Sequence, residues 1–164
     1  MGCCQIALLA SGCGGSSGAP ALPAAAARLT LSGVPLRIPA RYTCAGSGDR
    51  LPLRWSGVPS RARELVLVVT DPDAPGGRFV HWTAFGIPPT ARSVPAGAAS
   101  GRNSTGKMGW APPCPPPGAP HRYVFDLYAL ARTSGLEAGA SANDVIAAVR
   151  GAVARGEAVG RFGR

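Results

Sequence analysis

The 164-residue sequence predicts a mainly β domain, mostly antiparallel, with one C-terminal helix. Three observations carry this. Gly (23) and Pro (17) are frequent, which favours turns over long helices. Apolar, β-branched runs of strand length recur between turn signals. A helix start signal followed by an apolar face of helical period stands near the C-terminus.

The elements follow in chain order. Residues 29-LTLSGVPLRIPARYTCAGSGDR-50 hold short apolar runs broken at Gly33, Pro35, Pro39 and 46-GSGD-49, and 53-LRWSGVP-59 is a second short segment. The run 65-LVLVVT-70 is continuous and β-branched, as a strand buried on both faces requires. A further strand, 79-FVHWTAFGI-87, ends at Pro88 and Pro89. A long Gly/Ser/Pro loop follows through residue 118; its stretch 109-GWAPPCPPPG-118 cannot form a ladder, because proline has no N–H to donate. The segment 121-HRYVFDLYAL-130 reads as a strand throughout. Ser141 and Asp144 make a capping-box pair ahead of 145-VIAAVRGAV-153, whose apolar side a helix would bury; Gly151 and Gly156 weaken that helix.

One domain is expected, residues 29–164, behind a separate segment, residues 1–28. The formal charge is +9, which raises nucleic acid or an anionic surface as partners. Of 17 basic residues only Lys107 is lysine, and they are scattered without a run of three. With so much Ala, Gly and Pro, this reads as the composition of a GC-rich genome, and no nucleic-acid-binding motif is present, so no nucleic-acid partner is expected. No stretch reaches the ~18 apolar residues of a membrane-spanning helix.

The first segment, 1-MGCCQIALLASGCGGSSGAPALPAAAA-27, resembles a bacterial lipoprotein signal. A short apolar run leads through small residues to Cys13, the expected acylated residue, followed by an uncharged linker. The expectation is an exported, membrane-anchored lipoprotein that meets the membrane only through its lipid; the alternative is a cytoplasmic protein with a disordered tail. The run is short and no basic residue precedes it, which a misplaced start codon would explain. Setting aside Cys3, Cys4 and Cys13 leaves Cys44 and Cys114, an even pair expected to form a disulfide in an oxidising compartment, or else two free thiols. No cysteine spacing is a zinc pattern, and neither metal nor cofactor is expected.

The chain has only two histidines, and strand alternation places both on apolar faces. His81 shares a face with Phe79, Thr83, Phe85 and Ile87; His121 shares one with Tyr123, Phe125 and Leu127; Asp71 shares one with Leu65, Leu67 and Val69. Burying such groups without partners costs roughly 1–3 kcal/mol each. Either each histidine has its own core hydrogen bond, or Asp71, Asp73, His81, His121 and Tyr123 converge on one site.

The pieces 71-DPDAP-75, 80-VHW-82, 109-GWAPPCPPPGAPHRY-123 and 160-GRFGR-164 occur in an order and spacing that resemble the phosphatidylethanolamine-binding protein family, also called Raf-kinase-inhibitor-like proteins. The likeness covers about residues 29–164, and the short connection at residues 76–79 resembles the bacterial branch. It implies a β-sandwich-like fold around a large antiparallel sheet, a small anion pocket at one end, and a cis bond near 71-DPDAP-75. The pocket would be lined by Asp71, Asp73, His81, His121 and Tyr123, with backbone N–H groups from the glycine-rich loop at Gly106 and Gly109. His81, His121 and Tyr123 supply donors to a phosphate, and the aspartates orient the imidazoles or face an ammonium. The chain departs from bacterial relatives at residues 111–113, Ala-Pro-Pro where they usually carry glycine before Pro-Cys. It stops at Arg164, so the longer C-terminal segment of animal members is expected to be lacking.

Three functions follow, in order of preference. The first is a non-enzymatic binding protein for a phosphorylated or zwitterionic small ligand. The second is a protein-interaction inhibitor of a kinase or protease. The third is a hydrolase using the His/Asp pocket, against which stand the lack of a G-x-S-x-G elbow and of a metal-ligand cluster.

Overall fold

A computed structural model describes residues 27–164. Cys13 and the signal-like segment before Ala27 lie outside the described residues. The fold is mainly β. A six-stranded sheet has the order β1-β8-β7-β4-β5-β6, and a two-stranded ribbon, β2-β3, packs beside it. The strands are β1 (Ala27–Arg28), β2 (Thr30–Ser32), β3 (Arg54–Ser56), β4 (Glu64–Asp71), β5 (Phe79–Ile87), β6 (Ala99–Ser100), β7 (His121–Leu130) and β8 (Ala152–Phe162). Ala27 and Arg28 already belong to the sheet, paired with Ala154 and Arg155.

The large sheet is mixed rather than wholly antiparallel, because β1 runs parallel to β8. These two strands come from opposite ends of the chain, so no hairpin dictates their relative direction.

Strand β4 is central because all eight of its residues are buried. Leu65, Leu67 and Val69 enter one core with Trp55, Trp82, Tyr123, Phe125 and Leu127. Val66 and Val68 enter the opposite core with Phe85, Tyr128, Val145 and Val149. Each such side chain contributes about 1.5–3 kcal/mol of transfer free energy, so the continuous apolar run in the sequence reports burial on both faces.

The helix is α1 (Ala142–Ala148). Ser141 caps it by accepting from the Asp144 N–H, and the Asp144 carboxylate accepts from the Ser141 N–H. It is shorter than the apolar pattern predicts. A 3-10 turn at Val149–Gly151 ends it, and residues 152 and 153 open β8, which pairs along its length with β7. The two glycines in and after this pattern act differently. Gly151 turns the chain, whereas Gly156 lies inside β8, where a Cβ would stand 2.8 Å from the Leu29 carbonyl oxygen. Gly160 does the same under Ile38, at 2.7 Å from Cγ1. These glycines let the N-terminal segment lie directly on the sheet.

The described backbone holds no cis peptide bond, so the cis bond expected near 71-DPDAP-75 is corrected to trans. No helix among the described residues is long and apolar enough to cross a membrane.

Candidate functional site

Antiparallel pairing brings the end of β4 and the starts of β5 and β7 to one end of the sheet. Asp71 closes β4, and His121 opens β7. Oδ1 of Asp71 accepts the Asp73 N–H at 2.8 Å, and Oδ2 accepts Nδ1–H of His121 at 2.7 Å. Both side chains are buried there, at 5% and 11% exposure. A carboxylate can only accept, so it fixes the His121 proton on Nδ1 and leaves Nε2 uncommitted.

His81 reaches the same place by a bulge. Strand β4 pairs Val69 with Trp82 and then Thr70 with Val80, so His81 is an extra residue in β5. Strict alternation puts His81 on the face of Thr83 and Phe85. Thr83 pairs with Val68, and both Val68 and Phe85 belong to the core under α1. The bulge turns His81 instead to the side of Tyr123, with ring centroids 5.2 Å apart. Its Nδ1–H donates to the Ala111 carbonyl at 2.7 Å, and the Ala111 N–H returns a bond to the His81 carbonyl at 2.9 Å. Its Nε2 is therefore uncommitted as well. Burial pushes the His81 pKa below its ordinary 6.5, against the opposing pull of the Ala111 carbonyl, and the ring is neutral at neutral pH.

Both imidazoles and Asp71 line a cavity of about 370 Å³, together with Phe79, Thr105 and Cys114. Its remaining wall is Ala74, Pro75 and the proline-rich loop, which is held at several points. Cys114 is bonded to Cys44, with Cα atoms 5.3 Å apart. The Cys44 N–H donates to Pro113, Trp110 Nε1–H to Gly48, and Arg164 Nε–H to Pro115 at 2.7 Å. A loop that cannot pair with itself is fixed through its carbonyls and one covalent bond.

The other residues singled out in the sequence lie around this cavity rather than in its lining. Asp73 points outward and accepts from Arg122 three ways: from the backbone N–H at 2.8 Å, from Nε at 2.9 Å and from Nη2 at 2.6 Å. That side-chain hydrogen bond is the main reason its pKa falls to about 2. Tyr123 is fully buried, with its hydroxyl lacking a protein partner, and burial raises its pKa so that it stays protonated. Gly109, at φ +86°, donates its N–H to the Gly101 carbonyl at 3.0 Å, and Gly106 donates to Asn103. Neither glycine lines the cavity. Sequence reading did not find the Ala111 carbonyl, Arg122 or Arg164. Arg122 was legible in principle, as the charged neighbour of His121 in the same motif. A backbone carbonyl leaves no mark in residue type. Among the described residues, no three His, Cys, Asp or Glu side chains gather as metal ligands.

Residues 33–163 match the family model described as phosphatidylethanolamine-binding protein. The chain belongs to that family. A UPF0098 protein of Methanothermobacter thermautotrophicus is 46% identical over 127 residues, which cover 71% of this chain and 83% of that protein. The crystal structure of CT736 of Chlamydia trachomatis, described as a candidate phosphatidylethanolamine-binding protein homologue, superposes with a TM-score of 0.77 at 33% identity, over 84% of this chain and 98% of that one. A Mycobacterium tuberculosis relative named as a candidate lipoprotein, LppC, is 46% identical over 110 residues, 63% of this chain and 54% of that protein. Membership of this family fits a binding protein.

Proposed function

We propose that this chain is a non-enzymatic binding protein for a small phosphorylated or zwitterionic ligand, whose oxyanion is held between His81 and His121. One observation carries the reading: two imidazoles have their Nδ1 atoms pinned, to Ala111 and to Asp71, while both line the same small cavity. Pinning one nitrogen orients the other at no further entropic cost when a ligand arrives. The single hydroxyl in the lining, Thr105, donates to Asn103 Oδ1 at 2.6 Å, not to an imidazole, and the Cys114 sulfur is in a disulfide. The lining thus offers donors but no nucleophile coupled to a base.

An oxyanion needs Nε2–H donors, and His81 is neutral before binding. Binding therefore draws in a proton, and the complex holds more protons than the free protein between the free and bound His81 pKa values. Affinity rises as pH falls from 8 towards 6. Calorimetry with phosphoethanolamine checks both points. His81→Ala is expected to weaken binding at least about tenfold, and wild-type binding is expected to be tighter at pH 6 than at pH 8. Unchanged affinity in a folded His81→Ala protein rejects the assignment.

We also propose that the chain is exported and lipid-anchored at Cys13, a reading supported by the name of the mycobacterial relative. Mass spectrometry of protein from its own host is expected to find an acylated Cys13 as the first residue. An intact N-terminus at Met1 on cytosolic protein contradicts it.

A further inference from the structure

We infer that Arg37, Arg161 and Arg164 form a second anion subsite, joined to the cavity at His121, so that the preferred ligand is a small molecule with two anionic groups. This rests on the reading of the His81/His121 cavity as an oxyanion site.

Two further hollows adjoin that cavity. One, of about 450 Å³, is lined by Asp73, His121, Arg122, Arg161 and the loop through Pro120. His121 is common to it and to the first cavity. The other, of about 560 Å³, is lined by Leu36, Arg37, Arg161, Phe162 and Arg164, and shares Arg161, Gly118 and Pro120 with its neighbour. Each hollow thus shares lining residues with the next at this end of the sheet.

The charge across these hollows is uneven. Arg161 pairs with Arg122 across β7 and β8, and Arg37 bridges to Arg161 from the other side. Three arginines thus stand in one row over adjacent backbones. Like charges in direct cross-strand opposition destabilise a sheet unless something compensates them. Asp73 compensates Arg122. Arg37 and Arg161 have no carboxylate within ion-pair distance among the described residues. Arg164 lines the larger hollow, while its Nε–H holds Pro115 in the wall of the first cavity.

The first cavity has the opposite deficit. It contains Asp71 and a neutral His81, and no guanidinium lines it. A phosphate seated there gains hydrogen bonds and the proton that His81 takes up, set against the Asp71 carboxylate, but no guanidinium. His121 pairs with Phe162, the residue after Arg161. Arg161 and His121 both line the hollow at the strand ends. A second phosphate or carboxylate, joined to the first by a flexible linker, meets the uncompensated arginines there.

Calorimetry with methyl phosphate and with the α,ω-bisphosphates of propane, butane and hexane tests this on the wild type, His81→Ala and the double variant Arg37→Gln/Arg161→Gln. At least one bisphosphate is expected to bind wild type about tenfold more tightly than methyl phosphate, with an optimum in linker length. The double variant should lose that advantage and keep its methyl phosphate affinity within about twofold. If no bisphosphate outperforms methyl phosphate while His81→Ala still weakens methyl phosphate binding, the second subsite is wrong and the cavity stands. If the advantage survives in the double variant, it arises from the overall charge and the subsite is again wrong. Methyl phosphate binding that is absent in wild type, or unchanged in His81→Ala, removes the cavity reading and the inference with it.

Discussion

Replacing Cys44 and Cys114 together by serine is expected to lower stability by roughly 4 kcal/mol and to weaken phosphoethanolamine binding. The bond spans 70 residues in sequence, and cross-linking a loop of that length removes about this much chain entropy from the unfolded state. The effect reaches the site because Cys114 is in the lining, and residues 112, 113, 115 and 116 beside it are prolines without N–H groups. Without the bond, the loop keeps its carbonyl attachments to Cys44 and Arg164, the Trp110 bond to Gly48 and the reciprocal pair with His81. Urea unfolding of the wild type and the serine double variant measures the first effect, and calorimetry the second. Thiol labelling of the denatured wild type, before and after reduction, shows that the bond is present. A stability change below about 1 kcal/mol contradicts the role assigned to it.

Arg155→Met is expected to destabilise the fold by about 3–5 kcal/mol at pH 8 and by less at pH 5. Asp126 lies on the opposite face of the sheet and is fully buried. Its Oδ1 accepts from Arg155 Nε at 2.8 Å and Nη2 at 2.6 Å, while Oδ2 has no partner. Burial raises its pKa from 3.8 to about 6, and the Arg155 hydrogen bond only partly opposes this. A raised folded-state pKa contributes stability that is complete below 3.8 and lost as pH rises through about 6. Removing Arg155 raises that pKa further, so the charged carboxylate weighs most at high pH. Asp126→Asn in the Arg155→Met background should abolish the pH dependence of the loss. A loss equal at pH 5 and pH 8 contradicts the account.

The central strands were legible in the sequence for a simple reason. Strands β4, β5 and β7 are continuous apolar or alternating runs ended by Asp-Pro, Pro-Pro or a charged turn, so burial and boundary signals coincide. Strand β8 was hidden. Its residues are Ala, Gly, Val and Arg with one Glu and one Phe, its interior glycines make room for Leu29 and Ile38, and its start continues the helical pattern of Val145 and Val149. Only its pairing with β7 distinguishes it, and pairing is not a local property. The site shows the same division. Asp71, His81 and His121 could be singled out because polar side chains on apolar strands demand partners. The face that His81 occupies could not be read, because alternation assumes an unbroken strand and the bulge shifts it. The partner of His81 is a carbonyl of Ala111, brought close by a loop whose path follows from the Cys44–Cys114 bond and from Arg164.

The account stands on two imidazoles that share one ligand through Nε2. Side-chain ¹⁵N spectra of histidine-labelled protein, titrated with phosphoethanolamine at pH 6.5, test it most directly. The prediction is that the Nε2 resonances of His81 and His121 move together and saturate with the calorimetric binding curve, while both Nδ1 resonances remain those of protonated nitrogens held by Ala111 and Asp71. Nε2 resonances that stay fixed at ligand concentrations saturating the heat signal would place the ligand elsewhere and contradict the account.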